Sequence, residues 1–100
     1  MSLETITDQI KQKMAMAHGL SAKVKFNFDE DGIIFVDTTE NPPVISHEDE
    51  ESDLTLSCSM NTFQDILDGR QDPNIAFMMG KLKVKGSMGL AMKLNAVLED

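Results

Sequence analysis

The side chains able to do chemistry in this chain are few and poorly placed for it. His18 and His47 are its only histidines and Cys58 its only cysteine. A zinc site needs several such ligands at short spacings, and neither histidine has a second histidine or a cysteine at such a spacing. His47 is followed by Glu48 and Asp49, a neighbourhood that would hold a cation only weakly and reads as a solvated loop. Cys58 lies in an alternating strand pattern and reads as a small buried thiol. Alone, it forms no internal disulfide, which suits a reducing compartment. No serine sits in the strained turn of a hydrolase nucleophile. The acidic pairs fall in loop sequence, with no spacing that sets an acid opposite a base. Gly86 and Gly89 are spaced as in loops that clamp phosphate or RNA backbone. The flanking motif of such loops is missing, and Gly89 falls inside a helical pattern. The expectation is a chain that is not an enzyme and has no catalytic residue, metal or cofactor.

What the chain has in surplus is soft apolar side chain. Phe77, Met78, Met79, Met88 and Met92 crowd into residues 69–98, GRQDPNIAFMMGKLKVKGSMGLAMKLNAVL. Methionine is unbranched and polarizable, so it fits irregular shapes better than valine or isoleucine does. No apolar run approaches the roughly 18 residues of a membrane span. The start of the chain lacks the apolar block of a signal peptide, so export is not expected. The net charge is −8, spread unevenly. Residues 29–68 carry twelve acids and no lysine or arginine, whereas residues 69–98 carry Arg70, Lys81, Lys83, Lys85 and Lys93 against Asp72 alone. The overall acidity argues against a nucleic-acid partner, which is held by cations at its phosphates. The basic third leaves an anionic membrane surface open as a transient partner, with a merely solubilising face as the plainer reading.

The elements follow from the period of the apolar residues. Leu3, Ile6, Ile10 and Met14 recur at helical spacing and predict an amphipathic helix over 3–17, capped by Ser2 and stopped by Gly19. Ala22, Val24, Phe26 and Phe28 alternate with Lys23, Lys25 and Asn27, which predicts a strand with one wet face. Asp31-Gly32 supplies a turn, and Ile33 to Val36, apolar on both faces, returns as a central strand in a hairpin. Pro42-Pro43 confines Val44–Ser46 to an edge strand. His47 to Asp53 reads as an acidic loop, and Leu54, Leu56 and Cys58 as a fourth strand. Ser59 caps a helix through Phe63, Ile66 and Leu67 that Gly69 ends. Asp72-Pro73 starts a short helix ended by Gly80. Lys81 to Lys85 predicts a one-sided strand, and Ser87 a final helix to Leu98. That helix is interrupted only by Lys93 and Asn95, so it is expected to need apolar cover on more than one side. The sum is one α+β domain over residues 1–100: a five-stranded, mostly antiparallel sheet with helices on one face.

Asp72-Pro73, Ala76-Phe77, Gly80-Lys81-Leu82-Lys83-Val84, Gly86 and Met88-Gly89-Leu90-Ala91-Met92-Lys93-Leu94 together resemble the C-terminal signature of the sterol carrier protein-2 family. The resemblance is sharp over residues 69–95 and looser over the whole chain, where the order of elements is the same. It implies a sheet and helices enclosing an apolar tunnel, and a noncatalytic role in binding or transferring a fatty acid, acyl-coenzyme A or sterol-like lipid. Peroxisomal members end in a small-basic-leucine tripeptide, whereas Leu98-Glu99-Asp100 ends this sequence, which makes a cytoplasmic location the expectation. The alternative is an accessory module that docks a partner enzyme and presents a lipid intermediate to it. An exposed flat apolar patch, rather than an internal cavity, would favour that role.

A container needs walls, not catalysts. Phe63 and Ile66, Phe77 and Met78, and Leu90, Met92, Leu94 and Val97 are the candidate walls from three successive helices, with Val24, Phe26 and Phe35 as the sheet floor. Asn95 is a candidate for a lipid head group, with solvent exposure as the plainer reading. An empty cavity of about 300 Å³ would cost roughly 7 kcal/mol, against a total domain stability of about 5–15 kcal/mol. A domain of this size therefore either closes its cavity with its own side chains or keeps it filled. A sixteen-carbon chain offers on the order of 12 kcal/mol gross for filling it, before ordering costs.

Overall fold

The apolar alternation of the strands and the 3.6-residue period of the helices meet in one core. A computed structural model describes residues 2–15, 20–40 and 42–98. Its elements are α1 (Leu3–Ala15), β1 (Lys23–Asn27), β2 (Ile33–Asp37), β3 (Val44–Ser46), β4 (Leu54–Ser57), α2 (Met60–Leu67), α3 (Pro73–Met78), β5 (Lys83–Gly86) and α4 (Met88–Leu98). The sheet order is β3-β2-β1-β4-β5. Three of its pairings are antiparallel and the central β1–β4 pairing is parallel, so the sheet is mixed. The edge position expected of β3 is the observed one. The predicted end of the first helix, with Gly19 and His18, lies outside the described residues.

Register puts the core on one face. Val24 is opposite Val36 and Leu54, and Phe26 is opposite Ile34 and Leu56. All six are buried, and they form one cluster with Ile6, Ile10 and Met14 of α1, Phe63 and Ile66 of α2, Ala76 of α3, and Ala91, Leu94 and Leu98 of α4. The four helices therefore lie on one side of the sheet. The opposite face carries Lys25, Phe35 and Ser46 side by side. The acidic loop is tied to the β1 backbone and to Lys25. Asp49 pairs with Lys25 Nζ at 2.6 Å, and the Lys23 amide donates to Asp53 Oδ2 at 3.0 Å. This loop carries the chain from the β3 edge to β4 on the far side of β1, which is how β4 comes to lie parallel to β1.

Local signals set most boundaries, and two differ from expectation. The β1–β2 connection is wider than an Asp31-Gly32 turn. Asp29–Asp31 forms a single 3₁₀ turn, with Asp29 at φ 54° and the Phe28 amide donating to the Gly32 carbonyl at 2.9 Å. β5 starts at Lys83 rather than Lys81, because the Lys81 and Leu82 amides both turn back to the Ala76 carbonyl at 2.9 and 3.2 Å. Ser59 caps α2 by accepting from the Thr62 amide at 3.1 Å. Asp72 caps α3 by accepting from the amides of Asn74 and Ile75, with Pro73 in the first turn, where its missing donor costs nothing.

Candidate functional site

The predicted wall residues divide into two groups. Val24, Phe26, Phe63, Ile66 and Leu94 converge in the buried cluster, with Leu90 and Val97 packed against its margin. Phe63 is the hub: its ring lies 5.1 Å from that of Phe26 and 5.4 Å from that of Phe28, both tilted at 57°. Phe28, Ile10 and Met14 occupy the same interior and were not among the predicted walls. The period-two run from Val24 through Phe26 is the signal that extends to Phe28. Side chains of the sheet and of all four helices meet between the two layers.

The second group lies elsewhere. Phe35 is buried but pairs in register with Lys25 and Ser46, so it sits on the sheet face away from the helices and cannot be a floor for a cavity beneath them. Phe77 is 45% exposed, Met78 83% and Met92 71%. The expectation that α4 has apolar cover on more than one side is corrected by its burial. Ala91, Leu94 and Leu98 form one buried stripe, while Met88 is 54% and Met92 71% exposed. α1 and β5 are the neighbours against which α4 chiefly packs. They cover that stripe and leave Met88 and Met92, one helical turn apart, facing out.

The turn after α3 is a tightly bonded corner. The Met79 amide donates to Ile75 at 2.9 Å, the Gly80 amide to Phe77 at 3.2 Å and the Lys81 amide to Ala76 at 2.9 Å. Gly80 takes φ +79°, which ends the helix in the manner glycine favours. Ala76 and Leu82 anchor the corner in the core. Its tip presents Phe77, Met78 and the 61% exposed Met79, followed at once by the exposed Lys81.

Polar chemistry is sparse. A cleft of about 390 Å³ is lined by Asp29, Ser57, Cys58, Ser59, Gly80, Lys81 and Lys83. A second, of about 340 Å³, is lined by Lys25, Glu51, Ser52, Asp53, Thr55, Lys85 and Gly86. None of the predicted wall residues borders either one. Burial, with a smaller contribution from the charge of Asp29, pushes the Cys58 thiol up to about 12, so it is protonated at neutral pH and is not a nucleophile. Among the described residues no group of three or more His, Cys, Asp or Glu is placed to hold a metal ion. The His47 ring bonds to Thr7 of α1 at 3.0 Å. Asn95 is half-buried on α4.

The family model described as the SCP-2 sterol transfer family matches residues 3–99 of this chain. The chain belongs to the SCP-2 sterol transfer family. Hydroxysteroid dehydrogenase-like protein 2 of Xenopus tropicalis is 44% identical over 48 residues, covering 48% of this chain and 12% of that protein. Sterol carrier protein 2 of Homo sapiens is 41% identical over 52 residues, covering 52% of this chain and 10% of that protein. These aligned stretches span about a tenth of the length of the two curated relatives. Among solved structures, Sterol Carrier Protein 2 Like 2 of Aedes aegypti superposes with a TM-score of 0.80 at 19% identity, over 95% of this chain and 94% of that one. The palmitated form of the Aedes protein gives a TM-score of 0.72 at 20% identity over 100% and 96% of the two chains. A UbiJ-SCP2 ubiquinone synthesis protein gives 0.74 at 12% identity over 96% and 91%. These structures share the SCP-2 fold: the mixed five-stranded sheet with its helices on one side.

Proposed function

We propose that this SCP-2 domain is a noncatalytic lipid carrier that takes up a fatty acid, acyl-coenzyme A or sterol-like body between its sheet and the α3–α4 side of its helical layer. Membership of the SCP-2 sterol transfer family carries the reading, and the exposed apolar side chains fit both it and the docking alternative. Six large apolar side chains between Ile75 and Met92 stand at least 45% exposed at the α3–α4 end of the helical layer. The domain has more apolar surface at this end than its own interior can cover. A long-chain guest lying along the open side of α4 would cover Met88 and Met92 and leave the Phe26–Phe63 hub in place. Membership of a sterol transfer family and the likeness to a palmitated relative support the same reading.

The test has two parts. Native mass spectrometry after gentle extraction is expected to show a bound lipid. Adding palmitate to delipidated protein is expected to raise the melting temperature. Saturation at a hundredfold excess over Kd stabilises by about 2.7 kcal/mol, on the order of 10 °C or more for a domain of this size. Absence of both, across fatty acids, acyl-coenzyme A and sterols, would sink the reading. The accessory-module role draws support from the fold shared with a ubiquinone synthesis protein. It places the same exposed side chains against an enzyme, and it predicts that a lipid binds only when that enzyme is present.

A further inference from the structure

We infer that the corner between α3 and β5 docks the domain on anionic lipid bilayers, with Met78 and Met79 entering the interface and Lys81 and Lys83 meeting the acidic head groups. The inference rests on the carrier reading and names the surface at which such a carrier would exchange its cargo. Met78 is the most exposed large apolar residue described, and Phe77 and Met79 flank it. The Asp72 cap at one end of α3 and the bonds of Met79, Gly80 and Lys81 at the other fix the backbone that presents them. The bonded corner holds these side chains outward, so cover for them would come from outside the chain.

Charge selects the occupant. The chain carries −8 overall, yet residues 69–98 hold five cations against one acid. Lys81 follows the methionine tip and Lys83 is the first residue of β5, which is a sheet edge. The acid that faces them is Asp29, across the cleft that all three line. The acid within the segment, Asp72, is turned to the amides of α3. Lys85, two residues further along β5 and on the same face as Lys83, shares its cleft with Glu51 and Asp53. An unbranched apolar tip followed by long cationic side chains suits a surface with an oily interior and negative head groups: methionine beds into the acyl boundary and lysine stems reach back to the phosphates.

Flotation with vesicles of phosphatidylcholine alone, and of phosphatidylcholine with about a third phosphatidylglycerol, tests this. The full chain is expected to bind the anionic vesicles preferentially and to lose that preference in high salt. Met78→Ser with Met79→Ser should weaken binding at least tenfold to both compositions. Lys81→Glu with Lys83→Glu should remove the anionic preference, about fivefold or more per lysine. These positions are exposed, so circular dichroism should be unchanged. Displacement of a fluorescent fatty acid without vesicles reads the carrier function separately and should be unaffected by the lysine pair. Binding that ignores the methionine pair overturns the inference. So does vesicle-independent self-association that the same pair abolishes, which would make a second copy the occupant. Loss of fatty-acid binding with vesicle docking intact would overturn the carrier reading instead.

Discussion

At the scale of single residues the interior is organised by Phe63, which ties α2 to β1 through its contacts with Phe26 and Phe28. Truncation to alanine removes ring contacts that no neighbour can replace without moving a strand. Phe63→Ala is expected to cost about 3–5 kcal/mol, read as a lower urea midpoint, and Phe63→Leu substantially less. Cys58 gives a prediction of a different kind. Burial and Asp29 raise its thiol from the ordinary 9.0 to about 12. Below pH 9 both the native and unfolded thiol are protonated, and the group has no effect on the pH dependence. As pH climbs from 9 towards 12, the unfolded chain releases the proton while the native one keeps it, so stability falls with rising pH across that window. Comparing urea midpoints at pH 8 and pH 10 should show a loss in the native sequence that is smaller in Cys58→Ala. An equal loss in both would remove the assignment. Neither consequence is visible in composition. The sequence reads Cys58 as a buried strand residue, but the nearness of Asp29 comes with the 3₁₀ turn that replaces the simple hairpin turn.

Elements were legible where their signals are local. The caps Ser59 and Asp72, the proline start of α3 and the edge position of β3 all follow from chemistry confined to a few residues. What was not legible depends on distant partners. The parallel β1–β4 pairing depends on the acidic loop crossing β1. Phe35 is apolar in sequence like Ile34 and Val36, yet it faces the other way because it alternates with them. The period of α4 marks it as apolar all round, but which side is covered depends on α1 and β5. The same dependence decides the two glycines that bracket β5. A Cβ on Gly86 would collide with the Asp53 carbonyl oxygen and crowd Leu54 Cα, at φ +122°, while one on Gly80, at φ +79°, meets nothing within 4 Å. Gly80→Ala is therefore expected to cost about 1–2 kcal/mol from backbone strain alone. Gly86→Ala should cost clearly more, because β4 and β5 have to separate. Thermal denaturation of the pair orders them, and equal losses would mean that the β4–β5 contact yields freely.

At the scale of the whole molecule, the distribution of methionine makes the two proposals separable in one experiment. Met14 is buried in the core, while Met78, Met79, Met88 and Met92 are all exposed. Oxidation of a thioether by peroxide follows access to its sulfur. In delipidated protein the four exposed methionines should oxidise together, at least tenfold faster than Met14, as read by peptide mass spectrometry. Loading with palmitate should slow Met88 and Met92, because the guest lies along their side of α4. It should leave Met78 and Met79 fast, because they project from the rigid corner rather than from a wall. Adding anionic vesicles should then slow Met78 and Met79. If palmitate protects all four equally, one apolar face serves as both wall and dock, and the division drawn here between a cargo helix and a docking corner is wrong. If it protects none, the guest lies elsewhere in the fold, and the exposed end of this SCP-2 domain is a docking surface without being a container.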